Sequence, residues 1–337
     1  MFKRVLITGG FGFLGQYVMK DILNEFPDVE IKILDKNPNP KSLLNFNYIS
    51  KVTVSIKDIC DYDSIENEFN NIDLVINLIG LVSSSLKDKE LLERVNFQGT
   101  KNILKAIAIN KVKKLIHISS VAALGYCDDK NKTIDESFIF DWNIAKKRKK
   151  YYMFTKHLAD LEIEKCINKD LDAVILHPSL MFGPGDLTNS FRIIRAIKDG
   201  RIPFNTPGGI SVINVRDVSR GILTLLKKDI SKGKYLLSGY NLTFKEINKI
   251  ISNELSVKCP KFTLPRILRP LLFNLFLFIE SVSKNKLELT ADDIDNAFKF
   301  RHYDNTKAKK ELGWEPEITF EQTIKDTIKW MVENGFL

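Results

Sequence analysis

Residues 6–15 read LITGGFGFLG, an apolar run that breaks into closely spaced glycines near the start of the chain. Gly9, Gly12 and Gly15 satisfy a GxxGxxG pattern, and Gly10 with the last two satisfies GxGxxG. Glycines at this spacing permit a tight turn and let backbone N–H groups approach a pyrophosphate at a helix N-terminus. The stretch therefore predicts a strand, a phosphate-binding turn and a helix.

The residues around the turn favour this interpretation over an ordinary strand–turn–helix connection. A strand is predicted over residues 3–8 and a helix over residues 16–26. A second predicted strand, residues 31–34, ends at Asp35, which lies 20 positions beyond Gly15. An acidic residue at this spacing is typical of a side chain that binds the adenosine ribose of a dinucleotide.

Predicted strands and helices alternate through the first half of the chain, which indicates a parallel sheet covered by helices on both faces. After Pro178, short strands and helices are separated by loops rich in glycine and proline. We therefore expect an α/β protein with a Rossmann-type, doubly wound parallel sheet. Residues 1–178 would form the dinucleotide-binding domain with the catalytic residues. Residues 179–337 would form a smaller α/β substrate lobe, with some segments returning to the main sheet.

The composition is that of an ordinary globular protein, with 337 residues of which 44% are hydrophobic and 28% charged. The net charge of +9 comes from lysines scattered along the chain, so we expect no nucleic-acid partner. The cysteines have no metal-ligand spacing, which predicts reduced thiols, no metal site and a cytoplasmic location. They are Cys60, Cys127, Cys166 and Cys259.

Tyr152 and Lys156 lie four residues apart on one face of a helix predicted over residues 147–168. A phenol has an ordinary pKa of about 10, and a neighbouring ammonium lowers that pKa towards the range useful for proton transfer. Ser119 and Ser120 follow a predicted strand, where a substrate carbonyl would lie. Together these residues predict a proton-transferring centre beside the dinucleotide.

With these residues in place, the chain resembles the extended short-chain dehydrogenase/reductases, the NAD-dependent epimerase/dehydratase family. The motifs occur in the family's order along nearly the whole chain. They are TGGFGFLG (8–15), DLVINLIG (73–80), ISSVAALG (118–125), YMFTK (152–156) and HPSLMFGPGD (177–186). The last motif is most similar to the dihydroflavonol-reductase and 3β-hydroxysteroid-dehydrogenase branch. His177 stands where an arginine is usual, and Gly80 where an alanine is usual.

The resemblance implies a role for each matching residue. Tyr152 would be the acid/base, Ser120 would polarise the substrate oxygen, and Lys156 would tune Tyr152 and hold the nicotinamide ribose. NAD is the implied cofactor, with NADP as the alternative because Lys36 is cationic. The implied cofactor-binding residues are Gly9, Gly12, Phe13, Leu14, Gly15, Asp35, Asp58, Ile59, Asn77, Tyr152, Lys156 and His177. Asn96 would be structural, and Ser83, Ser84 and Phe182 would contact the substrate.

Three functions are compatible with these motifs. We favour an NAD(P)-dependent oxidoreductase that interconverts a secondary alcohol and a ketone on an apolar substrate. A sugar-nucleotide epimerase or dehydratase is the alternative, although Ser179 stands where its usual asparagine would be. Dehydratases also add acidic residues beside the active hydroxyl, and Val121 offers none. A non-catalytic dinucleotide-binding sensor or scaffold would have lost Tyr152 or Lys156.

Two segments leave alternatives open. Residues 265–282 form an apolar helix that is either sandwiched in the smaller lobe, a lid over a lipophilic pocket, or a membrane-surface patch. The basic run KKRKK, residues 146–150, is either a solvated loop or a site for an anionic, phosphorylated substrate. We also expect a homodimer, because the family dimerises through the helix that carries Tyr152. Leu158, Leu161 and Ile163 are available there for packing.

Overall fold

The computed structural model describes residues 2–37, 52–167, 169 and 171–337. Its larger sheet has seven parallel strands in the spatial order β3-β2-β1-β4-β5-β6-β9. These strands are β1 (Arg4–Thr8), β2 (Glu30–Asp35), β3 (Val52–Ile56), β4 (Leu74–Asn77), β5 (Lys114–Ile118), β6 (Asp172–Pro178) and β9 (Gly233–Leu237). The order reverses at β1, so the carboxyl ends of β1 and β4 border the crevice in which such sheets bind ligands.

The helices of the described residues cover both faces of this sheet and build the rest of the molecule. They are α1 (Phe13–Glu25), α2 (Tyr62–Ile65), α3 (Lys89–Leu92), α4 (Gly99–Ile109), α5 (Trp142–Lys147), α6 (Tyr151–Ile167), α7 (Asn189–Lys198), α8 (Val215–Lys227), α9 (Phe244–Glu254), α10 (Arg269–Val282), α11 (Ala291–Ala297) and α12 (Phe320–Glu333). A π-helical segment, Glu93–Gln98, joins α3 to α4, so residues 89–109 form one continuous helical stretch.

Alternate residues of the central strands enter two different cores, as the pleat of a strand requires. Val5 and Ile7 of β1 pack with α1 and α8 on one face of the sheet. Leu6, between them, packs with α4 and Ile163 of α6 on the other face. Because both faces are covered, β1 is a continuous apolar run rather than an alternating one.

A second, smaller sheet belongs to the chain beyond Pro178. It is built around β8 (Gly209–Asn214), which pairs with β7 (Leu180–Phe182), β10 (Tyr240–Thr243) and β11 (Phe300–Arg301). Helices α7, α9 and α12 pack on this sheet around Phe182, Ile210 and Phe320. Strand β9 nevertheless joins the larger sheet beside β6, and α8 packs against α1.

No helix among the described residues is long and apolar enough to cross a membrane.

Candidate active site

The glycine turn lies between β1 and α1, at the carboxyl edge of the larger sheet. Gly9 has φ +74°, a conformation that favours glycine, and Gly12 donates its N–H to the Gly9 carbonyl at 3.0 Å. A Cβ on Gly15 would lie 2.5 Å from the Gly10 carbonyl oxygen. The first N–H groups of α1, from Phe13 onwards, have no acceptor within the helix, so they can receive an anion.

The side chains of Phe13 and Leu14 pack against other parts of the protein. Leu14 is buried in the core, and the ring of Phe13 packs below Gly183 of the HPSLMFGPGD loop. Tyr17 donates to the carbonyl oxygen of Pro184 at 2.7 Å, which ties the same loop to α1. Phe13 and Leu14 therefore offer backbone N–H groups rather than side chains to a cofactor.

Asp35 ends β2 beside the turn, and its carboxylate accepts from the Phe11 N–H at 3.2 Å and the Asn37 N–H at 3.1 Å. Lys36 does not lie free beside it, because its Nζ pairs with Asp58 Oδ2 at 2.7 Å. Partial burial raises the pKa of Asp58, but Lys36 outweighs that effect and the pKa falls to about 2. The cation next to Asp35 is thus already matched by a carboxylate.

Ile59 follows Asp58 and is buried against α4. A Cβ on Gly99 would lie 2.5 Å from its Cδ1, and its carbonyl oxygen accepts from Asn102 Nδ2 at 2.8 Å. Asn96, predicted to be structural, fixes the loop after β4. Its Oδ1 accepts from the Leu81 N–H at 2.8 Å, and its Nδ2 donates to the Leu81 carbonyl at 3.0 Å.

Ser120 follows β5 and lies beside the phenol of Tyr152. Its Oγ caps the helical turn Val121–Leu124 by accepting from the Ala122 N–H at 3.2 Å. Ser119 is buried, whereas Ser120 is partly exposed, so Ser120 is the hydroxyl that a substrate can reach. The role of Ser120 stays a prediction, and its exposure is compatible with it.

Tyr152 and Lys156 project from the first turns of α6, and their protonation differs from the expectation. Burial raises the pKa of Tyr152, and the Ser120 hydroxyl only partly opposes that rise. The expected lowering of this pKa by Lys156 is therefore not observed. Burial also lowers the pKa of Lys156 to about 8, against the opposing effect of Asp160. The Lys156 ammonium donates to the Ile118 carbonyl at 3.0 Å.

A buried carboxylate that the sequence analysis missed lies one helical turn beyond Lys156. Asp160 Oδ2 is 2.8 Å from His177 Nε2, and Asp160 Oδ1 is 4.0 Å from His117 Nε2. Burial alone would raise the pKa of Asp160, but His177 lowers it below its ordinary value. The spacing of four residues from Lys156 was the available signal, because it places both charges on one face of α6.

The Asn77 and His177 side chains are engaged by partners within the protein. Asn77 is buried, accepts from Thr8 Oγ1 at 2.7 Å and lies 2.9 Å from His117 Nδ1. His177 is fully buried against Asp160. Both side chains are used between neighbouring strands and α6, and their role as cofactor contacts stays a prediction.

The predicted substrate residues separate into two groups. Phe182 is fully buried and packs edge-on against the ring of Phe320, with centroids 5.1 Å apart, so its prediction as a substrate contact is wrong. Ser83 and Ser84 stay partly exposed on the loop after β4. Their hydroxyls donate to Asp88 at 2.7 Å and to Asp293 at 3.0 Å.

The basic run before α6 is exposed at Lys146, Lys147 and Lys149, but its last residue is not solvated. Lys150 is buried, and its Nζ pairs with Asp292 and, at 3.1 Å, with Asp295 of α11. Asp295 is fully buried and also pairs with Lys299 at 2.6 Å. The protein's own carboxylates therefore neutralise the cation at this helix start, and no anionic substrate is required there.

Comparison with protein families and curated proteins gives consistent matches. The model of the 3-beta hydroxysteroid dehydrogenase/isomerase family matches residues 6–216. A candidate dihydroflavonol 4-reductase of Synechocystis sp. is 26% identical over 98% of this chain and 95% of its own length. The decarboxylating sterol-4-alpha-carboxylate 3-dehydrogenase of Candida albicans is 25% identical over 98% of both chains. These matches confirm the predicted branch and its enzyme class.

Solved structures share the fold over the whole chain. The crystal structure of gox2253 has a TM-score of 0.81 and 24% identity, and covers 99% of both chains. DesIV of Streptomyces venezuelae, a dTDP-glucose 4,6-dehydratase solved with NAD and TYD bound, has a TM-score of 0.76 and 21% identity over 98% of this chain and 97% of its own. The predicted Rossmann-type fold is confirmed.

Proposed function

Because the chain belongs to the 3-beta hydroxysteroid dehydrogenase/isomerase family, we propose that it interconverts a secondary alcohol and a ketone with NAD. The observation that carries the proposal is the position of Ser120 beside Tyr152, with Lys156 one helical turn away, at the sheet edge that also holds the glycine turn. A hydroxyl, a phenol and an ammonium at this edge are the groups that proton transfer to a substrate oxygen requires.

The described residues fit a dinucleotide at this edge. Because Gly15 has no Cβ, α1 can pack closely against the glycine turn. The α1 N-terminus supplies N–H groups for a pyrophosphate. Asp35 is placed to accept from ribose hydroxyls, and pairing of Lys36 with Asp58 favours NAD over NADP. When bound, NAD supplies the hydride acceptor or donor.

Tyr152 is the proposed acid/base. Its raised pKa keeps the phenol protonated at neutral pH, so it can donate a proton to the carbonyl oxygen during reduction and recover it during oxidation. The Ser120 hydroxyl polarises the same oxygen. Lys156 holds the nicotinamide ribose and supplies a positive charge that stabilises the phenolate when Tyr152 is deprotonated.

An apolar substrate is the proposed class. No acidic side chain follows Ser120, since the next residues are Val121, Ala122 and Ala123, which argues against dehydratase chemistry. Lys150 pairs with Asp292 of α11, so its charge is already compensated and does not argue for a phosphorylated substrate. An epimerase acting on sugar nucleotides stays the alternative function, because its chemistry also needs a tyrosine, a lysine and bound NAD.

The test is turnover by the full chain of a 3β-hydroxysteroid with NAD, of a dihydroflavonol, which is a ketone, with NADH, and of a UDP-hexose with NAD. We expect formation of NADH with an apolar alcohol. Tyr152→Phe should lower kcat by about 10²- to 10⁴-fold, while the matched control Tyr151→Phe keeps its activity. Near wild-type turnover by Tyr152→Phe would overturn the mechanism, and epimerisation of the UDP-hexose alone would favour the alternative.

We also propose a homodimer in the cytoplasm. Leu158 and Leu161 on α6 are partly exposed and can pack against a second copy, whereas Ile163 is buried in the monomer's core. The cysteines among the described residues form no disulfide, which suits a reducing compartment. Light scattering on the wild type and on Leu158→Glu tests the dimer, which the variant should dissociate. A monomeric wild type would exclude it.

A further inference from the structure

Helix α10 exposes a continuous apolar stripe. Among its residues only Phe273 and Glu280 are buried, so the interpretation as a helix sandwiched in the lobe is wrong. Large side chains spaced four, three and four residues apart share the outer face, with exposed fractions between 48% and 66%. The stripe consists of Leu271, Leu275, Phe278 and Val282, and Ile267, 83% exposed, extends it at the N-terminal end.

The orientation of this helix is fixed by its inner face. Glu280 accepts from the Leu86 N–H at 2.7 Å and from the Ala291 N–H at 3.3 Å. The ring of Phe273 lies 4.8 Å from the guanidinium of Arg148. Because these contacts hold the opposite face against the body of the protein, the stripe faces outward as a rigid feature.

Cations flank the stripe at both ends. Over residues 258–289, which the structure describes throughout, the exposed charged side chains are five cations and one carboxylate, that of Glu288. Along the chain, Lys258, Lys261 and Arg266 precede the helix, and Lys284 and Lys286 follow it. Arg266 pairs with Asp128 and Lys286 with Asp88, which leaves Lys258, Lys261 and Lys284 as the cations with no carboxylate partner among the described residues. The one acidic residue within α10, Glu280, is buried.

We propose that this stripe docks the protein on the surface of an anionic lipid bilayer, with α10 lying in the plane of the interface. An exposed apolar face between clusters of cations is the pattern of an interfacial helix, whose apolar side chains enter the acyl boundary while its cations meet lipid phosphates. A second copy fits the charges less well. In a two-fold pairing of α10 with α10, either orientation brings cationic ends together.

Docking would also bring the substrate loop close to the bilayer. The loop after β4 carries Ser83 and Ser84, and it is bound to α10 through Leu86 and through Lys87 Nζ, which donates to the Ser283 carbonyl at 2.7 Å. An apolar substrate could then enter from the lipid phase. This consequence rests on the proposed function, whereas the docking itself does not.

The test is sedimentation of the full chain with phosphatidylglycerol/phosphatidylcholine vesicles and with vesicles of phosphatidylcholine alone. We expect preferential binding to the anionic vesicles. The double variant Leu271→Glu/Phe278→Glu should bind at least about tenfold more weakly, and Lys261→Gln/Lys284→Gln should lose the preference for anionic lipid. The matched control Ile139→Glu alters a residue that is 87% exposed elsewhere and should bind like the wild type.

Thermal unfolding and turnover of a water-soluble ketone should be unchanged in the stripe variant, which separates failure of docking from failure of the proposed function. Absence of vesicle binding by the wild type would overturn the proposal, as would an equal loss in Ile139→Glu. A dimer that dissociates in the Leu271→Glu/Phe278→Glu variant, without vesicle binding by the wild type, would assign the stripe to a second copy instead.

Discussion

Replacing Asp160 with asparagine should move the alkaline limit of activity without removing any group that touches the substrate. Asp160 is buried one helical turn from Lys156, and its carboxylate opposes the effect of burial on the Lys156 pKa, which is about 8. The proposed role of Lys156 needs the ammonium form. Activity should therefore fall as the pH rises through about 8, where Lys156 loses its proton.

The size of the effect follows from the spacing. Charges four residues apart on a helix are separated by about 6 Å. At an effective dielectric constant of about 20 they attract each other by about 3 kcal/mol, which corresponds to about two pH units. Asp160→Asn should accordingly move the alkaline limb of kcat towards acid by about one to two pH units.

The two histidines that face Asp160 should not mask this shift. His117 faces Asp160 from β5, and burial lowers the pKa of its ring to about 3, so it stays neutral over the assay range. His177 faces it from β6, and an asparagine at position 160 retains an oxygen that can pair with its Nε2. The shape and hydrogen bonding of the site therefore change less than its charge.

The assay is a kcat profile from pH 5.5 to 10 with saturating NAD, for the wild type, Asp160→Asn and Glu164→Gln. Glu164 lies one turn further along α6 and pairs with Lys234 at 2.9 Å near the surface, so its variant is a matched carboxylate-to-amide control. An Asp160→Asn profile that superimposes on the wild type, in a folded enzyme, would refute the electrostatic role of Asp160.

Three further predictions concern the cofactor turn and the buried charges. Gly15→Ala should weaken NAD binding about 10- to 100-fold in calorimetry, because its Cβ would lie 2.5 Å from backbone, and Gly12→Ala, at 3.1 Å, should cost less. Turnover should prefer NAD to NADP at least about tenfold because Lys36 is paired with Asp58, and a preference for NADP would contradict this. Asp295→Asn should lower the free energy of unfolding by about 3–5 kcal/mol in urea. The control Asp326→Asn breaks a more exposed pair with Arg216 and should lower the free energy of unfolding by at most about 1 kcal/mol. Equal losses in the two variants would argue against the buried network.

The sheet and the centre of the site were predictable because their signals are local. The apolar strands, the glycine spacing and the four-residue interval between Tyr152 and Lys156 each involve only a few neighbouring residues. Such patterns fix backbone conformation and side-chain face directly. The family resemblance, not a local pattern, selects Ser120 over Ser119, and in the structure Ser120 follows β5 and begins a helical turn.

The errors concern burial and long-range pairing, which no local pattern contains. Phe182 lies within the motif HPSLMFGPGD (177–186), but its ring enters the core of the second sheet against Phe320, 138 positions later in the chain. Lys150 belongs to a basic run that looks solvated, yet its partner Asp292 lies 142 positions away in α11. The pKa of Tyr152 was misjudged for the same reason, because its burial dominates the neighbouring charge.

Two buried lysines near Tyr152 differ in whether carboxylates compensate their charge. Lys150 and Lys156 lie within six residues of each other, and both are at most 4% exposed. Lys150 pairs with two carboxylates, so its charge is compensated and serves to hold α11. Lys156 donates to a backbone carbonyl, and the carboxylate of Asp160 lies one helical turn away. Burial lowers the pKa of Lys156 to about 8. An ammonium without a paired carboxylate responds more strongly to a bound substrate or cofactor than a paired one does, so incomplete pairing suits Lys156 to its proposed role.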